Sequence, residues 1–143
     1  METVGTQTIN IVPMDSYESL ARLADAVYND PTTDVSRETI NEWLFSSFVF
    51  GYEALLDGVA VGWSYCTLIG GGYFLDGCNI KVNPFIASKM GKMICEDLRN
   101  IYNCKIVLTY HKEKEKHATV LAKRIGFQRL FKLQDTVFFY KAA

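Results

Sequence analysis

Few side chains in this sequence sit where their chemistry can be read. Asp76 falls in the segment 73–82 (YFLDGCNIKV), whose period-2 alternation sets it on one strand face with Cys78, Ile80 and Val82. Partly apolar company of that kind raises a carboxyl pKa toward neutrality and makes the group a usable base. The plainer alternative is a solvated Asp just after the glycine turn at 70–72. His111 and His117 flank a Lys-Glu run and titrate near neutral pH, but a separation of six residues matches no standard metal spacing, and both read as surface histidines. Cys66, Cys78, Cys95 and Cys104 are scattered, with no CxxC pair and no histidine close by. They read as reduced core thiols, and no metal site is expected. Among Lys112, Lys114, Lys116, Lys123 and Arg124, the acids Glu113 and Glu115 interrupt the positive charge. Alternating signs mark a solvated helix face, so nucleic acid is not the expected partner.

These residues need a scaffold, and the rest of the chain describes one. Residues 6–12 alternate as a half-buried strand that Pro13 closes. Ser16 then caps a helix with Leu20, Leu23, Ala24 and Val27 on one face, and Ser36 caps a shorter one carrying Ile40, Trp43 and Leu44. Two strands at 50–56 and 59–69 meet at the hairpin signal Asp57-Gly58, and the glycines at 70–72 lead into the strand that carries Asp76. Pro84 stops that strand, and a third helix runs over about 88–102 with Met90, Met93, Ile94, Leu98 and Ile101 on its buried side. Residues 105–109 (KIVLT) have the apolar, β-branched character of a central strand covered on both faces. A helix over 117–125 ends at Gly126, and strands at 127–133 and 136–140 finish the order.

At 143 residues with 49% hydrophobic content, the chain can bury one substantial core, and a single domain over 1–143 is expected. Fifteen basic against sixteen acidic residues leave a formal charge of -1, with no global field for nucleic acid or an anionic membrane. The first residues lack a secretory signal pattern and no apolar run is long enough to span a bilayer. A soluble, cytoplasmic protein that does not engage membranes is the expectation, or one packaged inside a larger particle.

The order β α α β β β α β α β β resembles the GNAT superfamily of acyl-CoA-dependent N-acetyltransferases: an α/β (α+β) domain with a central mixed sheet of about seven strands and about four helices. Two local sequences carry the likeness. Val82-Asn83-Pro84 looks like the V-x-P that introduces the family's cofactor loop, and ATVLAKRIGF at 118–127 is similar to the helix that ends in Leu-Gly-Phe or Ile-Gly-Phe.

The resemblance implies acetyl-CoA as co-substrate, its pyrophosphate held by backbone N–H groups at a strand-to-helix turn. The family's loop is Arg or Gln, two residues, Gly, one residue, then Gly or Ala. Those three positions here hold Ala87, Met90 and Lys92; a frame one residue later recovers Gly91 but puts Ser88 and Met93 at the other two. The implied cofactor-binding residues are Val82, Lys89, Met90, Gly91 and Lys92, the lysines supplying charge where glycine is missing. The family's acid, a Tyr four residues before Gly-Phe, is Ala122 here, and its frequent Asn is Glu115. The implied catalytic pair is therefore Asp76 as base, preferred to Glu53, with Tyr110 as a substitute acid.

Two functions compete on this basis. One is transfer of an acetyl group from acetyl-CoA to an amine of a small molecule or protein. The alternative is a catalytically inactive GNAT-fold module that binds proteins, similar to small virion-associated proteins of tailed bacteriophages; it is favoured by the joint loss of loop glycines, Tyr and Asn. An exposed apolar patch drawn from Phe48, Phe50, Phe85, Phe131, Phe138 and Phe139 would mark the second, whereas core packing of these rings would not.

Overall fold

The structure, a computed structural model, describes residues 2–31, 33, 35–45, 49–69 and 72–142. Strands β1 (Glu2–Val4) and β2 (Gln7–Met14) precede helices α1 (Tyr17–Tyr28) and α2 (Arg37–Leu44). Strands β3 (Val49–Leu56), β4 (Val59–Ile69) and β5 (Gly72–Ile80) lead to the long α3 (Pro84–Tyr102). The chain ends with β6 (Ile106–Lys112), α4 (Lys116–Ile125), β7 (Gln128–Leu133) and β8 (Thr136–Ala142). The strands form one eight-stranded sheet in the order β1-β2-β3-β4-β5-β6-β8-β7. It is antiparallel except where β5 lies parallel to β6.

Local chemistry explains most boundaries. Ser16 and Ser19 form a capping box on α1, and the Ser36 hydroxyl accepts the Thr39 N–H on α2. Asp57 and Gly58 both take positive φ, 51° and 81°, the twist that a two-residue hairpin needs. Gly126 ends α4 in the left-handed region.

The expected central mixed sheet with its four helices is borne out, and its strands include Glu2–Val4, which folds back on β2 through a turn with Gly5 at φ 62°. Three expectations are corrected. Pro13 does not end the first long strand but pairs with Tyr52 inside it. Thr8 exchanges hydrogen bonds with Asp57 on the β3 side, so alternation turns the nitrogen of Pro13 the other way, where β1 has already ended. The third helix begins at Pro84, four residues ahead of Ser88, because proline suits the first helical position and the Asn83 side chain caps it. The strand expected at 105–109 spans Ile106–Lys112, and among the described residues its buried side is the one with Val107.

That last difference follows from how the helices are distributed. Helices α3 and α4 cover one face, where Ile94, Leu98 and Ile125 pack with Tyr52, Cys66, Val107, Val137 and Phe139. Helices α1 and α2 lie on the other face, but Leu23, Val27, Ile40 and Leu44 gather around Met14, Trp63 and Tyr65 of β2 and β4. Among the described residues no helix packs extensively on the β6, β8 and β7 end of that second face, and Ile106 is 47% exposed on it.

Candidate functional site

Strands β5 and β6 pair over Tyr73↔Val107, Phe74↔Leu108 and Leu75↔Thr109 and then part, although each strand continues. Diverging carboxyl ends of neighbouring parallel strands form a wedge, the place where α/β sheets receive ligands. Asp76 and Tyr110 are the first residues beyond the last pair, one on each lip. The register between β4 and β5 passes from Tyr65↔Gly77 to Cys66↔Leu75, which makes Asp76 the extra residue of a β-bulge. A bulge interrupts alternation, so the single face inferred for Asp76, Cys78 and Ile80 does not follow from the backbone. The surroundings of the Asp76 side chain lie outside the described residues. Sequence reasoning missed the splay, for which the adjoining Gly77 was the available signal.

The Tyr110 ring is 39% exposed and lies 5.5 Å from that of Phe138. Glu53 approaches Arg22 of α1 at 4.0 Å, a long contact between partly exposed groups. On the opposite side of β6, His111 Nε2 and the Thr119 hydroxyl of α4 lie 2.7 Å apart, and burial holds the imidazole below its ordinary pKa despite nearby Glu115. His111 was read as a surface group; it is half-buried and tied to α4. Ala122, at the family's Tyr position, is buried, and Glu115 makes no side-chain cap on α4.

The start of α3 is closed. Pro84 has no N–H, the Asn83 Oδ1 accepts the Phe85 N–H at 2.8 Å, and the Ala87 N–H bonds the Asn83 carbonyl at 2.9 Å. That leaves the Ile86 N–H as the first-turn donor engaged by neither cap nor helix among the described residues. Val82 packs beside the cluster of Ile80, Ile86 and Met90, and Met90 is fully buried in it. Gly91 faces α4: a Cβ there would meet Cγ1 of Ile125 at 2.8 Å and Cδ1 closer still. Lys89 reaches Glu2 of β1 at 3.9 Å. At 1.5 Å per residue it stands about 7.5 Å along the helix from its start, and Lys92 about 12 Å.

Lys92 lines a cavity of about 180 Å³ with Cys95, Glu96, Arg99, Ile125 and Lys141, away from the wedge. Burial pushes the Cys95 thiol there up to about 11. Cys66, Cys95 and Cys104 are all buried. Among the described residues no three metal-ligating side chains gather, and no helix is long and apolar enough to cross a membrane.

Neither a protein-family model nor a curated protein matches the sequence. Solved structures do. A domain from Methanocaldococcus jannaschii is similar with a TM-score of 0.74 at 15% identity, over 96% of this chain and 99% of that one. Aminoglycoside acetyltransferase AAC(6')-Ib in complex with coenzyme A gives 0.73 at 13%, over 94% and 95%. The N-acetyltransferase PseH of Campylobacter jejuni in complex with acetyl coenzyme A gives 0.66 at 12%, over 94% and 99%. By this likeness over nearly its whole length, the chain has the fold of the GNAT acetyltransferases.

Proposed function

We propose that this chain is a GNAT-fold binding module that does not use acetyl-CoA. The observation that carries this reading is the closed start of α3. A pyrophosphate needs several converging N–H donors on bare backbone. Here proline removes one, Asn83 occupies the next, and Met90, at the family's first loop glycine, is buried in the core. Lys89 and Lys92 are poorly placed substitutes, since one lies near Glu2 and the other stands more than two turns from the start of the helix. The residues present do not fit the cofactor. A protein partner, whether of phage virion type or not, is the natural ligand of a module with exposed rings such as Phe131 and Tyr110.

A second reading, acetyl transfer to an amine with Asp76 as base and Tyr110 as acid, is favoured by their positions on facing lips of the wedge. Isothermal titration with acetyl-CoA and coenzyme A decides between the two. No binding at millimolar ligand is expected. Micromolar binding that a Lys89→Glu, Lys92→Glu double variant abolishes would overturn the proposal and restore the enzyme.

A further inference from the structure

We infer that the recess between α3, the end of α4 and the end of β8 is a binding site for a small phosphomonoester that also carries hydroxyl groups. Lys92, Arg99 and Lys141 bring three positive charges to it and Glu96 one negative charge, around the apolar surface of Cys95 and Ile125. The recess lies at the opposite end of the sheet from the wedge. Lys141 pairs with Val107 near the start of β6, whereas β5 and β6 part beyond Thr109. Arg99 stands in the last turn of α3, far from the turn at Pro84.

The wall on α3 follows from spacing: residues 92, 95, 96 and 99 form one stripe along the helix, with Lys92 and Arg99 about 10 Å apart along its axis. Gly91 allows Ile125 of α4 to lie against that helix. The third cation is the unusual one. Alternation along β8 sets Lys141 on the same face as Val137 and Phe139, which are buried in the core beneath α3 and α4. Its stem crosses Gly126, where a Cβ would come within 3.1 Å of Lys141 Cε. The Lys141 Nζ reaches the Ala142 carbonyl at 3.4 Å, a long contact, and the residue is half-buried.

Nothing in the protein balances this charge. Among the described residues none of the three cations has a carboxylate within ion-pair reach. Lys92 precedes Glu96 by four residues, the less favourable order for a helical pair. Burial pushes the Cys95 thiol up to about 11 against the pull of Lys141, so it stays neutral at physiological pH. A cation turned toward the core without a partner is costly, and an anionic ligand removes that cost.

The ligand's chemistry follows from the same residues. Three cations and one carboxylate leave a charge of +2, the complement of a phosphomonoester dianion. Arg99 offers a planar fork to two phosphate oxygens, and the lysines add point charges. Glu96 only accepts hydrogen bonds, so a bare anion leaves it unsatisfied, whereas a hydroxyl on the ligand donates to it. The volume of about 180 Å³ holds about six waters and falls below the roughly 300 Å³ of a site for a drug-sized molecule. A phosphate on a short polyol fits these limits, and a nucleotide exceeds them.

Glycerol 3-phosphate is the probe. Isothermal titration of the whole chain at low salt is expected to give a dissociation constant of about 1 mM or tighter, with inorganic phosphate about tenfold weaker for want of the hydroxyls that Glu96 accepts. Lys141→Gln and Arg99→Gln should each weaken glycerol 3-phosphate about tenfold or more, the loss of one hydrogen bond between charged groups. Arg99 is exposed, so its variant carries the test if Lys141→Gln fails to fold, with circular dichroism reporting the fold of both. Arg22→Gln, on α1 across the sheet, should leave binding unchanged. Coenzyme A held at the start of α3 would be indifferent to Lys141→Gln, so this inference and the reading of the cofactor turn fail separately. Absence of binding at about 20 mM glycerol 3-phosphate overturns the inference, as does binding that both substitutions leave unchanged. Equal affinity for inorganic phosphate and glycerol 3-phosphate overturns the assigned ligand and leaves a bare-anion site.

Discussion

One methyl group added at Gly91 separates two reasons for having a glycine there. If the position served a phosphate, Gly91→Ala would leave the fold alone, or stabilise it by the roughly 1 kcal/mol that alanine gains over glycine inside a helix. The structure gives a different reason. The new Cβ would press on Cγ1 and Cδ1 of Ile125, and that side chain is enclosed in the core between α3, α4 and the sheet. Overpacking of this kind costs about 1–3 kcal/mol. Set against the helix gain, the net is a destabilisation of about 1 kcal/mol, or a fall of about 2–4 °C in Tm. In an Ile125→Ala background, itself about 2–5 kcal/mol less stable, the contact is gone and the helix gain remains. There Gly91→Ala should stabilise by about 1 kcal/mol, so the coupling between the two sites is about 2 kcal/mol. Urea denaturation of the four proteins, followed by circular dichroism, measures it. Equal stabilisation by Gly91→Ala in both backgrounds would refute the packing explanation.

Two further outcomes follow from the same structure. Asn83→Ala removes the cap on Phe85 and should cost about 1 kcal/mol in a thermal melt, without creating affinity for coenzyme A. His111 has its pKa lowered from 6.5, so the unfolded chain takes up that proton first as pH falls. The resulting stability is full above about 6.5, declines as pH drops through that value, and levels off below the folded pKa. Tm should therefore drop between pH 7 and pH 5, and by less in His111→Gln; equal slopes in the two proteins would remove His111 as the cause.

Elements whose boundaries rest on a side chain next to them were legible in the sequence. Ser16, Ser36, Asp57-Gly58 and Gly126 all mark the ends they were expected to mark. Features that depend on a neighbouring strand were not. Whether Pro13 breaks β2 depends on which side carries a partner, and the parting of β5 from β6 leaves no trace in periodicity. The candidate site divides along the same line. Asp76 and Tyr110 do come to one place, but the face of Asp76 cannot be counted across a bulge. For Lys89, Met90, Gly91 and Lys92 the resemblance implied a cofactor-holding strand-to-helix turn, whereas Pro84 and Asn83 had already begun the helix. The open face of β6 was hidden because apolar character alone does not reveal which partner covers it.

The brevity of the β5–β6 pairing also bears on how the molecule assembles. Each side of that seam is antiparallel and continuous in sequence, β1 to β5 before α3 and β6 to β8 after it, so most strand pairing is between near neighbours along the chain. Such local pairings close short loops and form readily. The parallel register of Tyr73–Leu75 against Val107–Thr109 is the long-range step, and its few backbone bonds offer little to drive it. What joins the two parts is α3, whose Ile94 and Leu98 share a core with Tyr52 and Cys66 from one and Val107 and Phe139 from the other. The helix whose first turn is capped by Pro84 and Asn83 thus serves as the clasp between the two antiparallel parts of one sheet.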